Sequence, residues 1–213
     1  MKRFFTLSLL WAATLTVFCS CSETHKADEY SNWEERNSDY IEQIAQECAV
    51  FRNQGVTVDN AQENQMFRLL SYKLDPSKEE WGNNSYVYCR VIKNGTGNES
   101  PLFTDSVYLN YRLRLIPTDN YPDGQVMDQS YKTAKLNPDL NIPAALRVSS
   151  CVSGISTVLM HMNCGDIWRV YVPQELGYGN NKRSGSSIPD YSTLIFDINL
   201  VEFARTGKEL SPI

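Results

Sequence analysis

Residues 165–203 read GDIWRVYVPQELGYGNNKRSGSSIPDYSTLIFDINLVEF. Two extended segments flank a polar loop in this stretch. In the first, Trp168, Val170 and Val172 alternate with Arg169 and Tyr171. In the second, Leu194, Phe196, Ile198 and Leu200 alternate with Ile195, Asp197, Asn199 and Val201. A period of two sends successive side chains to opposite faces, so each segment predicts a strand with one apolar face. Trp168 and Phe196, on those inward faces, read as core on spacing alone. Tyr178 differs, because Gly177-Tyr178-Gly179 sets an aromatic in the loop from Gln174 to Ser192, where burial is not demanded.

Upstream, Val107, Leu109, Tyr111, Leu113 and Leu115 alternate with Tyr108, Asn110, Arg112 and Arg114, which predicts a half-buried antiparallel strand with Tyr111 on its covered face. Tyr86 to Ile92 reads as a strand covered on both faces. Residues 116–125, rich in Pro, Asp, Asn and Gly, form a long hairpin connection, and extended structure resumes from Val126 to Ser130. A short helix is predicted from Val152 to Met162, with Ile155, Val158, Leu159 and Met162 on one face and Gly165 ending it. Strands, one short helix, a long loop and a closing strand predict an α+β fold, an antiparallel half-barrel sheet wrapped on that helix.

The N-terminal part is organised differently. Ser31 followed by Glu34 predicts a capping box. Ile41, Ile44, Cys48 and Phe51 then recur at helical spacing until Asn53-Gln54-Gly55. The apolar stripe demands a partner, which could be the following domain, a ligand surface or a second copy. Met66 to Leu74 fits helix or strand, and Asp75 to Ser85 reads as a linker. Residues 31–80 are therefore taken as a helical extension, 81–205 as the main domain and 206–213 as a tail. Ahead of them, Lys2 and Arg3 precede an apolar run to Phe18, shorter than the ~20 residues a membrane span needs. Phe18-Cys19-Ser20-Cys21 follows, so residues 1–21 resemble a bacterial lipoprotein signal with Cys21 as the acylated residue. Residues 22–30 would be a polar tether.

Composition excludes several functions. With 213 residues and 42% apolar content the chain can bury a core, while a net charge of -5 with scattered Lys and Arg leaves no footprint for nucleic acid. Only two histidines are present, His25 and His161, so hydrolytic Ser-His or Cys-His chemistry lacks a base in most of the chain. Cys48, Cys89, Cys151 and Cys164 match no zinc spacing; three disulfide pairings are open to them, and small buried apolar residues are the plainer reading. The glycines of GNNKRSGSS have no phosphate-loop spacing. No cofactor or metal is implied. Rotation about an X-Pro amide suits what remains, an apolar, aromatic-rich cavity. Its barrier of ~18–20 kcal/mol is due to resonance, and lowering it needs no nucleophile.

Tyr86 to Phe203, and Gly165–Phe203 most strongly, resembles the FKBP-type peptidyl-prolyl cis-trans isomerases, in particular bacterial lipoprotein members of a Bacteroides-like kind. In that family an aromatic-lined cavity receives the proline ring. The resemblance implies that Tyr111 lines the cavity, that Asp128 in VMDQS stands at its rim and that Met127 replaces a neighbouring phenylalanine. It further implies that the Tyr178 hydroxyl and the Ile188 N–H hold ligand carbonyls, that Phe196 is a wall, and that Cys151 and Val152 take the place of an aliphatic pair before the helix. Ile155 stands where the family carries the tryptophan that floors the cavity. A wall aromatic is replaced by Ala144, Leu146 or Val148. The implied partners are proline-containing segments of exported proteins and macrolide ligands, with the membrane reached through the lipid anchor of an envelope, outer-membrane protein. An alternative left open by the aliphatic floor is a catalytically weak or inactive module that binds peptides as a chaperone or accessory lipoprotein.

Overall fold

The computed structural model describes residues 28–78, 81–137, 140–180 and 187–212. The signal and Cys21 readings lie outside them. The first element is helix α1 (Trp33–Asn53). Its start is not the expected Ser31–Glu34 capping box. Asn32 occupies the N-cap in a left-handed conformation with φ 50°, and no side chain caps the helix. Asparagine is among the few residues that tolerate that conformation, and Glu34 and Glu35 in the first turn favour the positive end of the helix. Ile41, Ile44 and Cys48 are buried against Met66, Tyr88, Tyr171 and Ile195. The partner of the stripe is thus the chain's own sheet, and burial of each isoleucine contributes about 2 kcal/mol.

Among the described residues, seven strands build one sheet: β1 (Met66–Leu70), β2 (Tyr86–Lys93), β3 (Ser106–Arg114), β4 (Val126–Gln129), β5 (Ala144–Arg147), β6 (Ile167–Val172) and β7 (Leu194–Ala204). The order is β1-β2-β6-β7-β3-β4, every pairing is antiparallel, and β5 shares the outer edge of β3 with β4. The ambiguous segment after Met66 is therefore strand for Met66–Leu70. β5 has no counterpart in the sequence reading. Its Ala-Ala-Leu-Arg favours helix locally, and pairing of Val107 with Leu146 and of Leu109 with Ala144 overrides that preference.

The sheet wraps the short helix α2 (Ser153–Leu159). Val107, Leu109, Val170, Val172, Leu194, Ile198 and Leu200 on its inner face form one core with Val158, Leu159 and Met162. The regular helix is shorter than the expected 152–162, although Met162 N–H still donates to Val158 O. Gly154 sets how closely α2 sits on the sheet, because a Cβ there would lie 2.5 Å from Val172 Cγ1.

The outer face departs from the expected half-buried strand. Asn110, Arg112, Asp197 and Asn199 are buried there. The charged pair is satisfied by neighbours, whereas Asn110 Oδ1 has no hydrogen-bond partner among the described residues. Arg112 donates to Gln129 Oε1 and to the carbonyls of Thr133 and Ala134, and lies 4.5 Å over the Tyr131 ring. Asp197 accepts from Arg114 at 2.7 Å and from Arg169 at 2.7 and 3.1 Å. Burial alone would raise its pKa, but the two guanidiniums outweigh burial and hold the carboxyl below the ordinary range. Cys48 and Cys89 are fully buried, Cys151 and Cys164 partly so, and all four thiols are free.

Candidate functional site

A cavity of about 210 Å³ opens between the inner face of the sheet and the start of α2. β3 supplies Tyr111, and the period of two adds Leu109 and Leu113 to the same wall. β7 supplies Phe196 and Ile198, whose cross-strand partners are Leu113 and Tyr111. The Tyr111 and Phe196 rings are tilted at 46° with centroids 6.5 Å apart.

Tyr111 is held at both ends. Its N–H donates to Ser130 Oγ and its carbonyl accepts Ser130 N–H, each at 2.9 Å. Its hydroxyl donates to Asp128 Oδ2 at 2.8 Å, while Asp128 Oδ1 accepts Gln129 N–H at 2.8 Å. Burial first, and then the hydrogen bond and charge of Asp128, push the Tyr111 pKa well above the ordinary phenol value. The hydroxyl thus stays protonated and directed at the carboxylate.

The opposite wall comes from the start of α2. Val152 is its N-cap residue, Cys151 precedes it, and Ile155 lies one residue beyond Gly154; all three line the cavity. Ser156 Oγ fixes this turn by donating to Val148 O at 2.8 Å. Ser153 Oγ donates to Leu176 O at 3.2 Å and so joins α2 to the loop that carries Tyr178, which also faces the cavity. Burial pushes the Cys151 thiol up to about 11. Leu146 of β5 and Ser150 complete the lining described here, and of the three wall positions left open Leu146 is the one that reaches it, whereas Val148 is buried in the core.

The structure therefore gathers Tyr111, Asp128, Cys151, Val152, Ile155, Tyr178 and Phe196 around one space. It does not bring Met127 and Ile188 into the lining. Both pack instead between the main core and a cluster of Trp33, Leu115 and Ile116. Leu109, Leu113, Ile198 and Ser150 were not singled out from sequence; the first three were available from alternation with Tyr111 and Phe196. His161 lies outside the lining, with Nδ1 2.8 Å from Thr157 O. Chemically, the cavity offers hydrocarbon walls, two phenols, a serine hydroxyl, a protonated thiol and one carboxylate already engaged by a phenol.

Residues 97–201 match the family model described as FKBP-type peptidyl-prolyl cis-trans isomerase. Peptidyl-prolyl cis-trans isomerase Mip of Coxiella burnetii is 33% identical over 146 residues, covering 68% of this chain and 56% of the relative. The FKBP-type 22 kDa peptidyl-prolyl cis-trans isomerase of Escherichia coli is 34% identical over 135 residues, covering 62% of this chain and 58% of the relative. The chain thus spans a little over half the length of these two relatives. A crystal structure of a peptidyl-prolyl cis-trans isomerase from Pseudomonas syringae aligns with a TM-score of 0.46 at 28% identity, over 62% of this chain and 85% of that one.

Proposed function

We propose that residues 97–201, which belong to the FKBP-type peptidyl-prolyl cis-trans isomerase family, give this chain the ability to interconvert cis and trans X-Pro amides. The observation that carries this reading is the lining itself: apolar walls from Leu109, Leu113, Phe196 and Ile198 beside the fixed Tyr111–Asp128 pair. A proline ring entering it leaves water, and the flanking amide is desolvated with it. Resonance that keeps the amide planar is strongest when water hydrogen-bonds the carbonyl, so desolvation lowers the cost of twisting. Catalysis then requires only that the twisted amide be bound better than the planar one. No bond to the substrate forms or breaks. Tyr178 contributes a hydroxyl donor for a substrate carbonyl, and Tyr111, Val152, Ile155 and Phe196 grip the ring.

Ile155 supports a second reading. An aliphatic floor keeps the cavity apolar but gives a proline ring no aromatic face to lie on, which suits a binding module with slow turnover. NMR exchange spectroscopy on a short X-Pro peptide separates the two. The isomerase reading expects exchange cross-peaks at substoichiometric protein, since the uncatalysed process takes tens to hundreds of seconds. Peptide shifts that saturate without exchange would leave only the binding module.

The setting we propose is the bacterial envelope. Cys21 would carry the lipid, residues 22–30 would tether the fold to the outer membrane, and proline-containing segments of exported proteins would be the substrates, with macrolides as competing ligands. Palmitate labelling that survives in wild type and disappears in Cys21→Ser supports the anchor; equal labelling of both removes it.

A further inference from the structure

Behind the cavity wall, α1 reaches the loop that carries Tyr178. The Trp33 indole N–H donates to Ser192 Oγ at 2.9 Å, and Ser192 Oγ donates onward to Pro189 O at 2.6 Å. One turn later, Asn37 Oδ1 accepts Thr193 N–H at 2.7 Å, and the Thr193 hydroxyl donates to Asn37 O at 3.3 Å. Asn37 Nδ2 closes the set by donating to Trp33 O at 2.6 Å. Asn37, Ser192 and Thr193 are all at least 97% buried, so these bonds do not compete with water.

Between Pro189 and Thr193 the backbone is strained. Tyr191 has φ 62°, a left-handed conformation that a bulky side chain adopts only when its surroundings enforce it. Its N–H donates to Gly179 O at 2.9 Å, one residue past Tyr178. The other contact runs through packing: Met127, next to Asp128, lies against the cluster of Trp33, Leu115 and Ile116, and so does Ile188.

We infer that Trp33 is a positioning residue for the peptide site: through Ser192 it holds the strained Pro189–Thr193 turn in the one arrangement that places Gly179, and hence Tyr178, at the cavity. The role rests on the functional reading above and gives α1 a part in it, although α1 contributes nothing to the lining. The extension is a brace for the binding wall.

Trp33→Phe keeps a ring in the cluster and removes the donor. Calorimetric titration of a short X-Pro peptide into wild type, W33F, Y178F and the double variant tests the inference. W33F is expected to weaken binding three- to tenfold and to raise KM with kcat unchanged. In the Y178F background the same change is expected to cost less than twofold, because the group it positions is gone. Ser192→Ala breaks the chain from the other side and is expected to match W33F, which keeps the test available if W33F folds poorly. Equal affinities for wild type, W33F and S192A overturn the role, as does a W33F effect undiminished by Y178F. A wild-type chain that binds no X-Pro peptide would instead remove the functional reading itself.

Discussion

Tyr111 donates its hydroxyl to Asp128 Oδ2 at 2.8 Å, joining β3 to β4 at the wall of a mainly apolar cavity. The bond couples the site to pH in a defined direction. A phenol ionises near 10 in an unfolded chain, whereas burial and Asp128 push Tyr111 higher, and burial pushes Tyr40 up to about 12. Groups raised on folding stabilise the fold fully below their unfolded pKa, and that contribution is lost as pH rises towards the folded value. Urea midpoints are expected to hold from about pH 7 to 9 and to fall from about pH 10 upward. A midpoint unchanged through pH 11 would contradict this placement of the phenols.

Asp197 gives the acid counterpart. It serves both Arg114 and Arg169 with its side chain about nine-tenths buried, so Asp197→Asn leaves two guanidiniums without their shared carboxylate. Loss of one partner in such a buried set costs about 3–5 kcal/mol, read by denaturant unfolding at pH 7. Its pKa is lowered on folding, so its contribution is present above the unfolded value near 4 and is lost as pH falls through the folded one. The gap between wild type and D197N should therefore narrow below about pH 4. A gap that persists there would assign the loss to packing.

Ile155 lines the cavity, and we propose that it sets how tightly a proline ring is held. Ile155→Trp adds an aromatic face towards the open space of the cavity and is expected to tighten X-Pro peptide binding by about 1 kcal/mol, measured by calorimetry. Ile155→Ala is expected to cost about 2–4 kcal/mol of stability, since the residue is also buried against the core. Unchanged affinity in I155W would show that the floor is not what limits binding.

Cys151 also lines the cavity and offers a chemical test of occupancy. Burial pushes its thiol up to about 11, so N-ethylmaleimide should modify it slowly at pH 7.5, and a saturating X-Pro peptide should slow the reaction further. Mass mapping at Cys151 distinguishes it from the partly exposed Cys164. Equal rates with and without peptide would place the bound ring elsewhere.

Much of this was legible before any coordinates. A period of two puts Tyr111 and Phe196 on covered strand faces, where spacing alone reads as core, and only the resemblance implied a place for them at a cavity; Tyr178 stood out as an aromatic between glycines in a polar loop. Met127 and Ile188 were harder, because their packing partner, Trp33, lies on α1, outside the segment that resembles the family. β5 was hidden because Ala-Ala-Leu-Arg has no alternation and gains its strand form only from β3. The buried outer face of β3 and β7 was misleading for the opposite reason. Arg112 and Asp197 look solvent-facing in a list of residue types, and they become interior only because arginine, carboxylate and backbone carbonyl satisfy one another.

We propose that X-Pro bonds turn in the Tyr111–Phe196 cavity. A protease-coupled assay on a short X-Pro peptide measures it most directly, with cleavage of the trans isomer following the cis-to-trans step. The first-order rate should rise in proportion to the concentration of this protein and fall back towards the uncatalysed rate when Phe196→Ala opens the wall. A rate equal to the uncatalysed control at every concentration, from protein that still binds the peptide, would contradict it.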